Sequence, residues 1–217
     1  MEDRIFAIGD VHGCRRQLVE LLARLPLDRR RDTIVFLGDY LDRGPDGKGV
    51  VETVCRLQDD GVRVVPLLGN HEYLLLEYHR SRDPALLPLL HRDGLEATLA
   101  SYGAPHLRAV HELGFLPDRH RELLFSLLPY WETPDFIFVH AGLVPGLPLA
   151  EHDLPSLCET RGDFLTRETS GGKRVIFGHT PFATPLVTPT RIGIDTGAVY
   201  GNLLTAVELP RVRFFHA

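Results

Sequence analysis

The sequence predicts a single α/β domain, and three of its features support that prediction. In the first third of the chain, short apolar runs alternate with amphipathic segments, as in a parallel sheet whose strands are joined by helices. These runs end in a glycine followed by Asp or Asn, which indicates buried strands that lead into polar turns. Near the C-terminus, strand-like runs at residues 203–209 and 212–215 follow each other without a helix, which favours an antiparallel second sheet. The length of 217 residues fits one domain with its own core.

The first apolar run, residues 5–8, is too short for a helix and leads into Gly-Asp-Val-His-Gly at residues 9–13. Asp10 and His12 stand two residues apart on this turn, where the glycines allow a carboxylate and an imidazole to converge on one cation. A helix N-cap is the alternative interpretation of Asp10. Leucines recur at three- and four-residue steps in residues 17–25 and predict an amphipathic helix.

The second unit repeats this pattern. The β-branched apolar run at residues 33–37 leads into Gly-Asp-Tyr-Leu-Asp-Arg-Gly at residues 38–44. A surface ion pair in the loop is one explanation of Asp42 and Arg43, because such pairs are common. A second Gly-Asp pair after a second buried strand favours a shared site instead. Apolar residues at helical spacing in residues 49–57 predict a crossover helix and therefore parallel strands.

The third apolar run, residues 62–68, leads into Gly-Asn-His-Glu at residues 69–72. In open α/β sheets, the carboxyl ends of the strands form the ligand crevice. Three successive strands that end in polar turns therefore predict one site, and Asn70 and His71 belong to it. We expect Glu72 to support the turn or to begin the following helix, and not to contact substrate.

Residues 73–130 contain five prolines that divide a helical pattern into short pieces, and we predict a helical, cap-like insertion beside the site. Beyond it, apolar runs at residues 135–139 and 174–177 end in His140 and His179. A single histidine after a strand is more often a hydrogen-bonded core residue than a ligand. Two histidines in matching positions favour a metal site.

Composition limits the possible partners. The chain has 24 Lys and Arg against 29 Asp and Glu, a net charge of -5, which argues against binding to a nucleic-acid polymer or an anionic membrane. No apolar run approaches the roughly 18 to 20 residues of a membrane helix, and the strand-like start leaves no room for a signal peptide. The three scattered cysteines support neither a disulfide framework nor a thiolate zinc site. We therefore expect a cytoplasmic protein.

Five motifs occur in order along nearly the whole chain: Gly-Asp-x-His-Gly (9–13), Gly-Asp-x-x-Asp-Arg-Gly (38–44), Gly-Asn-His-Glu (69–72), His-Ala-Gly (140–142) and Gly-His-Thr (178–180). This set resembles the calcineurin-like metallophosphoesterases, and among them the phosphoprotein phosphatases of the short bacterial type. The resemblance implies an α/β fold with two mixed β-sheets packed as a sandwich, flanked by helices, and a dinuclear metal centre at the strand ends.

The resemblance also implies the metal ligands. These are Asp10, His12 and Asp39 for one ion, and Asn70, His140 and His179 for a second ion, to which Asp39 forms a bridge. Carboxylate, amide and imidazole ligands without thiolate suit two divalent or trivalent ions, with manganese preferred over iron or zinc.

The remaining polar residues of the motifs take catalytic and substrate-binding roles by the same resemblance. His71 is implied to be the general acid that protonates the leaving oxygen, and Asp42 to orient it. Arg43 is implied to bind the phosphate with its planar guanidinium, and Arg161 resembles a second phosphate-binding arginine.

The resemblance implies a metal-dependent phosphomonoesterase in which a metal-activated water attacks in line. The substrate would be a phosphorylated protein or a small phosphoester. A serine/threonine protein phosphatase is the preferred interpretation, because Asp42-Arg43-Gly44 is typical of that branch. The alternative is a symmetrical diadenosine tetraphosphate hydrolase, although those enzymes typically lack an Asp at the position of Asp42. A metal-binding scaffold without catalysis is a third possibility, which the intact set of ligands with His71 and Arg43 disfavours.

Overall fold

The computed structural model describes residues 3–104, 108–167 and 172–217. In chain order, the strands are β1 (Ile5–Ile8), β2 (Thr33–Phe36), β3 (Arg63–Pro66), β4 (Tyr130–Glu132), β5 (Phe136–Val139), β6 (Arg174–Phe177), β7 (Leu186–Val187), β8 (Arg191–Gly193), β9 (Thr205–Leu209) and β10 (Arg213–His216). The α-helices are α1 (Arg15–Arg24), α2 (Gly47–Asp59), α3 (Asn70–Ser81), α4 (Leu87–Asp93), α5 (Leu95–Tyr102), α6 (Arg108–Glu112), α7 (Asp118–Phe125), α8 (Leu154–Glu159) and α9 (Asp163–Thr166). Short 3₁₀ turns occur at Pro84–Leu86, Leu149–Glu151 and Ala198–Tyr200.

The strands form two five-stranded mixed sheets, in the orders β10-β9-β1-β2-β3 and β4-β5-β6-β8-β7. The prediction of two mixed sheets is therefore confirmed. Strands β1, β2 and β3 are parallel, as the crossover helices α1 and α2 require. In the second sheet, β5, β6 and β8 are parallel and the edge strands are antiparallel.

The prediction that the closing strands form a separate antiparallel sheet is wrong. Strands β9 and β10 are antiparallel, but they extend the first sheet, with β9 paired along β1. Every residue of β9 is buried, so this strand needs an interior position with both faces covered. Such a position exists beside β1, which otherwise would form the edge of the first sheet.

Side chains of the first sheet alternate between two cores. Ala7 and Val35 face Phe138 and Ile176 of the second sheet, and this layer joins the two sheets. Phe6 and its neighbours on the opposite face pack against helices α1, α2, α3, α5 and α7. The outer face of the second sheet is covered by α8 and α9. Helices therefore flank the sandwich on both sides, as predicted.

The segment predicted as a cap contains α3 to α7, and residues 105–107 of it lie outside the described residues. Its apolar side chains Leu90, Leu95, Leu99 and Leu123 belong to the same buried cluster as Phe6. A cap function for this segment remains a prediction. Among the described residues, no helix is long and apolar enough to cross a membrane.

Candidate metal centre

The turns after strands of both sheets bring the predicted side chains to one place. A glycine precedes several of these side chains because the backbone at that point packs directly against another residue of the site. A Cβ on Gly69 would lie 2.2 Å from an oxygen of Asp39, and a Cβ on Gly178 would lie 2.1 Å from an oxygen of Asp10. Any side chain at either glycine would displace a predicted ligand, so these glycines are required by packing against the site.

The backbone of the site is strained. Eight non-glycine residues of the described chain have a positive φ, and five of them are predicted site residues. These five are His12, Asp39, Asp42, Arg43 and His179. Such conformations cost free energy and concentrate where the surrounding structure must aim a side chain.

Asp39 lies at the middle of the cluster, and its two carboxylate oxygens face opposite ways. Oδ2 is 3.2 Å from Nε2 of His12, whereas Oδ1 is 3.5 Å from Nε2 of His140. The carboxylate thus separates two groups of imidazoles, which is the arrangement that a bridging ligand needs. The position of Asp39 agrees with the predicted bridge.

Hydrogen bonds to the backbone fix the tautomers of two predicted histidine ligands. Nδ1 of His12 lies 2.8 Å from the carbonyl oxygen of Leu41, and Nδ1 of His140 lies 2.7 Å from that of Leu37. A carbonyl only accepts, so Nδ1 carries the proton in each ring and the Nε2 lone pair faces Asp39. Such second partners commonly orient metal-binding imidazoles.

Asn70 and His179 complete the second group. Oδ1 of Asn70 is 3.1 Å from Nε2 of His140 and 2.9 Å from Nδ1 of His179. The amide oxygen and both imidazoles therefore converge beside Oδ1 of Asp39. The structure brings together all the residues predicted for the second ion.

The protonation states of these groups suit metal binding. Burial, helped by the neighbouring His140, lowers the pKa of His179 to about 2, and burial also lowers the pKa of His140. Both imidazoles are therefore neutral ligands at pH 7. Burial alone would raise the pKa of Asp39, but the facing imidazoles hold it well below its ordinary value. Asp39 is therefore ionised.

Asp10 lies at the edge of the cluster, and its two oxygens accept the backbone N–H of His179 at 3.1 and 3.0 Å. Burial, together with the nearby charges of Asp195 and Asp39, raises its pKa well above the ordinary value. Three buried carboxyl groups this close repel one another unless cations offset their charge. The proximity of Asp10 to Asp39 fits a metal site.

Among the described residues, two groups of three side chains could each hold a metal ion, because the ligand atoms within each group lie within 4.8 Å of one another, and Asp39 belongs to both groups. They are His12, Asp39 and His71, and Asp39, His140 and His179. The first group contains His71 where the prediction has Asp10, so Asp10 as a ligand stays a prediction. The donor set of carboxylate and imidazole groups fits two divalent cations.

His71 differs from the other histidines in what its ring contacts. Nδ1 lies 2.8 Å from Oδ2 of Asp42, and the buried Nε2 has no hydrogen-bond partner among the described residues. Burial opposes protonation, but the charge of Asp39 and the hydrogen bond to Asp42 raise the pKa of His71 to about 9. The ring is therefore protonated at pH 7, with one N–H directed into the site.

Asp42 is itself fixed by a residue that the sequence did not indicate. The hydroxyl of Thr98 in α5 donates to Oδ1 of Asp42 at 2.5 Å and accepts the Asp42 backbone N–H at 2.8 Å. Thr98 is fully buried. A single threonine in a predicted helix carries no signal of its own, so only the structure identifies it as a positioning residue.

We expect Thr98→Val to lower kcat about 10-fold, because the variant leaves Asp42 with two unmet hydrogen bonds and frees the carboxylate that orients His71. Thr98→Ser, which keeps the hydroxyl, should retain most of the activity. Steady-state kinetics on a small phosphoester with both variants measure this effect. Wild-type kcat in Thr98→Val would exclude a positioning role.

Glu72 stabilises the turn that carries Asp39. Its carboxylate accepts the backbone N–H groups of Asp39, Tyr40 and Leu41, each at 3.0 Å. Burial raises the pKa of Glu72 to about 8, and the charge of Asp39 adds to that effect. The side chain supports the loop and lies behind the ligands, as expected from the sequence.

Asp195 was missed by the sequence analysis. It is buried in the turn after β8, accepts the N–H of Gly197 at 2.9 Å, and lies close enough to Asp10 to raise its pKa. Burial raises the pKa of Asp195 as well. The signal was present, because Asp195 follows an apolar strand just as Asp10 and Asp39 do.

The two predicted phosphate-binding arginines lie over opposite ends of the cluster. A guanidinium nitrogen of Arg43 is 2.9 Å from Nε2 of His12. Nε of Arg161 donates to Nε2 of His179 at 2.9 Å, and a second nitrogen donates to the His179 carbonyl at 3.1 Å. Both side chains are exposed, so both can reach a phosphate at the mouth of the site.

Comparison with known proteins yields a family and several relatives. The profile of the calcineurin-like phosphoesterase family matches residues 3–195. The protein named bis(5'-nucleosyl)-tetraphosphatase PrpE (asymmetrical) from Oceanobacillus iheyensis is 30% identical over 235 residues, covering 97% of this chain and 90% of that protein. A symmetrical bis(5'-nucleosyl)-tetraphosphatase from Acidovorax sp. (strain JS42) is 31% identical over 205 residues, covering 94% of this chain and 66% of that protein.

Among solved structures, the crystal structure of a candidate diadenosine tetraphosphatase superposes with a TM-score of 0.74 and 25% sequence identity. The match covers 100% of this chain and 94% of that chain. The two chains therefore share their overall fold.

Proposed function

Because this chain belongs to the calcineurin-like phosphoesterase family, we propose that it hydrolyses dinucleoside tetraphosphates and cleaves them asymmetrically. The observation that carries the proposal is the similarity to an asymmetrical dinucleoside tetraphosphatase over almost the full length of both chains. The sequence favoured a phosphoprotein substrate and gave a symmetrical diadenosine tetraphosphate hydrolase as the alternative; the proposal keeps the substrate class of that alternative and changes the cleavage pattern to asymmetrical. The coarser prediction of a metallophosphoesterase is confirmed by the family match.

Asp42 favours asymmetrical over symmetrical cleavage. The symmetrical hydrolases share most of the five motifs of this chain, but they typically lack an Asp at the position of Asp42. In this chain Asp42 is present and bonded to His71. Asymmetrical cleavage of a tetraphosphate bridge releases a nucleoside triphosphate and a nucleoside monophosphate, whereas symmetrical cleavage releases two diphosphates.

The chain's own residues bind and orient the substrate. Arg43, which contacts His12, and Arg161, which contacts His179, can each bind phosphate oxygens of a polyphosphate. Bound metal ions would activate the attacking water and stabilise the charge that develops on the phosphoryl group. The bond between phosphorus and the bridging oxygen breaks as the new bond to the water oxygen forms.

His71 acts on the leaving oxygen. Its Nε2–H donates the proton to the bridging oxygen of the departing nucleotide, while Nδ1–H stays bonded to Asp42. The Asp42 carboxylate holds the ring in the orientation that keeps Nε2 directed into the site. A proton lost by the attacking water replaces the one that His71 donates, so protons balance over the reaction.

An exposed aromatic ring supports a nucleotide substrate. Tyr200 is 65% exposed, and the Arg43 guanidinium lies 5.8 Å from the centre of its ring. An aromatic surface beside a phosphate-binding arginine suits a nucleoside, since every base can stack on it.

A serine/threonine protein phosphatase remains the second candidate. The specific observation in its favour is the His71–Asp42 pair at 2.8 Å. A general acid is needed most when the leaving group is a strongly basic alkoxide, as in phosphoserine.

Product analysis tests the proposal. Diadenosine tetraphosphate is incubated with the protein and Mn²⁺, and the nucleotides are separated by anion-exchange chromatography. We expect equal amounts of ATP and AMP at early times. ADP as the sole product would replace the asymmetrical assignment by the symmetrical one, and no hydrolysis at all would refute the proposed function.

A further inference from the structure

A cavity with a volume of about 430 Å³ lies along helix α3, whose first residue is the predicted ligand Asn70, and is lined mainly by apolar side chains. Its apolar walls are formed by Leu68, Tyr73, Leu76, Phe125 and Leu154. This volume is within the range of about 300 to 1,000 Å³ typical of small-molecule sites. None of these side chains has been given a role above.

The cavity runs along the helix that begins at the predicted ligand Asn70. Asn70 is the first residue of α3, and Tyr73, three residues later, lies on the same face of the helix. At 1.5 Å per residue, Tyr73 is about 4.5 Å and Leu76 about 9 Å along the helix axis from Asn70. Leu68 lines the cavity and stands two residues before Asn70, so one end of the cavity lies near the turn that carries this predicted ligand.

The opposite wall of the cavity is open to solvent. Phe125 at the end of α7 is 56% exposed, and Leu154 at the start of α8 is 43% exposed. His79 packs its ring edge-on to Phe125 at 5.8 Å, and its Nδ1 lies 2.8 Å from the carbonyl oxygen of His111. Because a carbonyl only accepts, His79 donates this bond, and its ring is thereby held against Phe125.

Charge argues against a phosphate in this cavity. The one guanidinium in its lining belongs to Arg80, which binds the carboxylate of Glu77 at 2.5 and 2.9 Å. The paired charges offset each other, so the described residues of the lining offer no unpaired guanidinium to hold an anion. Two aromatic rings and three leucines suit an uncharged, flat, aromatic group.

We propose that this cavity binds one nucleobase of the dinucleoside polyphosphate, between Tyr73 and Phe125, and so determines specificity for nucleotides over simple phosphoesters. The inference rests on the proposed function, because that function supplies the base. The phosphates lie at the metal centre and the base lies one to two helical turns away along α3.

The test compares substrates with and without a base. The variants are Tyr73→Ala, Phe125→Ala and Leu154→Trp, of which the last fills the cavity from an exposed position without removing a buried group. Val187→Ala, an exposed apolar residue on β7 outside the cavity, is the control. For each protein, KM and kcat are measured with diadenosine tetraphosphate, and inorganic tetraphosphate is used as a competitive inhibitor.

We expect each cavity variant to raise KM for diadenosine tetraphosphate about 10-fold or more, as expected for the loss of base stacking. The inhibition constant of inorganic tetraphosphate should stay within about twofold of wild type, because that compound has no base. An unchanged KM in all three variants would overturn the base pocket while leaving the proposed function intact. Parallel increases in KM and in the inhibition constant would also overturn it, since they indicate general damage to the site.

The wild-type protein separates this inference from the function on which it rests. If wild type does not hydrolyse diadenosine tetraphosphate, the proposed function fails and the base pocket fails with it. If wild type does hydrolyse it, the variants test only whether the cavity binds a nucleobase.

Discussion

Replacing His71 by Asn is expected to lower kcat by about 100-fold or more, the effect of removing a general acid. The reason is geometric. Nδ1 of His71 is held by Asp42 at 2.8 Å, and the buried Nε2 is directed into the site without a partner among the described residues. An asparagine can keep a bond to Asp42 but cannot deliver a proton from the position of Nε2.

The size of the loss should depend on the leaving group. We expect His71→Asn to reduce hydrolysis of p-nitrophenyl phosphate less than that of phosphoserine, because a nitrophenolate leaves without needing a proton. His91→Asn is the matched control, since His91 is also paired with a carboxylate, that of Glu96, but is exposed outside the site. Equal rates for wild type and His71→Asn on every substrate would remove His71 from the mechanism.

Asp39→Asn is expected to reduce kcat/KM by about 1,000-fold or more, because a bound metal ion supplies several kcal/mol of transition-state stabilisation. Both oxygens of Asp39 face imidazoles, one group on each side. An amide offers a single oxygen, and its N–H group cannot bind a metal ion on the other side. We therefore expect the variant to retain less than the full complement of metal after dialysis, as measured by inductively coupled plasma mass spectrometry.

Asp32→Asn is the control for Asp39. Asp32 is buried just before β2, the strand whose other end leads to Asp39, and forms an ion pair with Arg4 at 2.6 Å. Its replacement should lower stability but leave metal content and kcat unchanged. Full metal content in Asp39→Asn would contradict the bridging position.

The strands that carry the site could be predicted from sequence because they are short apolar runs that end in glycine. The runs before Asp10 and Asp39 became β1 and β2 with bounds within one residue of the prediction. Helix α2 begins two residues earlier than predicted, because the side chain of Asp46 accepts the Gly49 N–H and caps it. Local sequence signals were therefore sufficient to predict these strands and this helix.

Long-range pairing could not be predicted in the same way. The sequence of β9 indicates a strand, but nothing in it specifies that its partner is β1, some 200 residues earlier in the chain. Thr98 is 56 residues from Asp42 and reaches it only because α5 packs against the loop that carries Asp42. Asp195 could have been identified, because it repeats the strand-then-carboxylate pattern of Asp10.

The substrate is the part of the prediction that the motifs determine least. The ligands and His71 suit any phosphoester, so the preference for phosphoproteins depended on the short motif Asp42-Arg43-Gly44. The relative named as an asymmetrical dinucleoside tetraphosphatase, which matches over 97% of this chain and 90% of its own length, favours a dinucleotide substrate. The specificity proposed above depends on Tyr73 and Phe125, which belong to no motif.

The central claim is that this metal centre hydrolyses a dinucleoside tetraphosphate. Its most direct test compares kcat/KM of the wild-type protein for diadenosine tetraphosphate and for a phosphoserine peptide, both with Mn²⁺. The Asp39→Asn variant serves as the inactive control. We predict that the dinucleotide is strongly preferred and that Asp39→Asn loses activity on both substrates. A preference for the phosphopeptide, abolished by the same substitution, would assign the metal centre to protein dephosphorylation and contradict the proposed function.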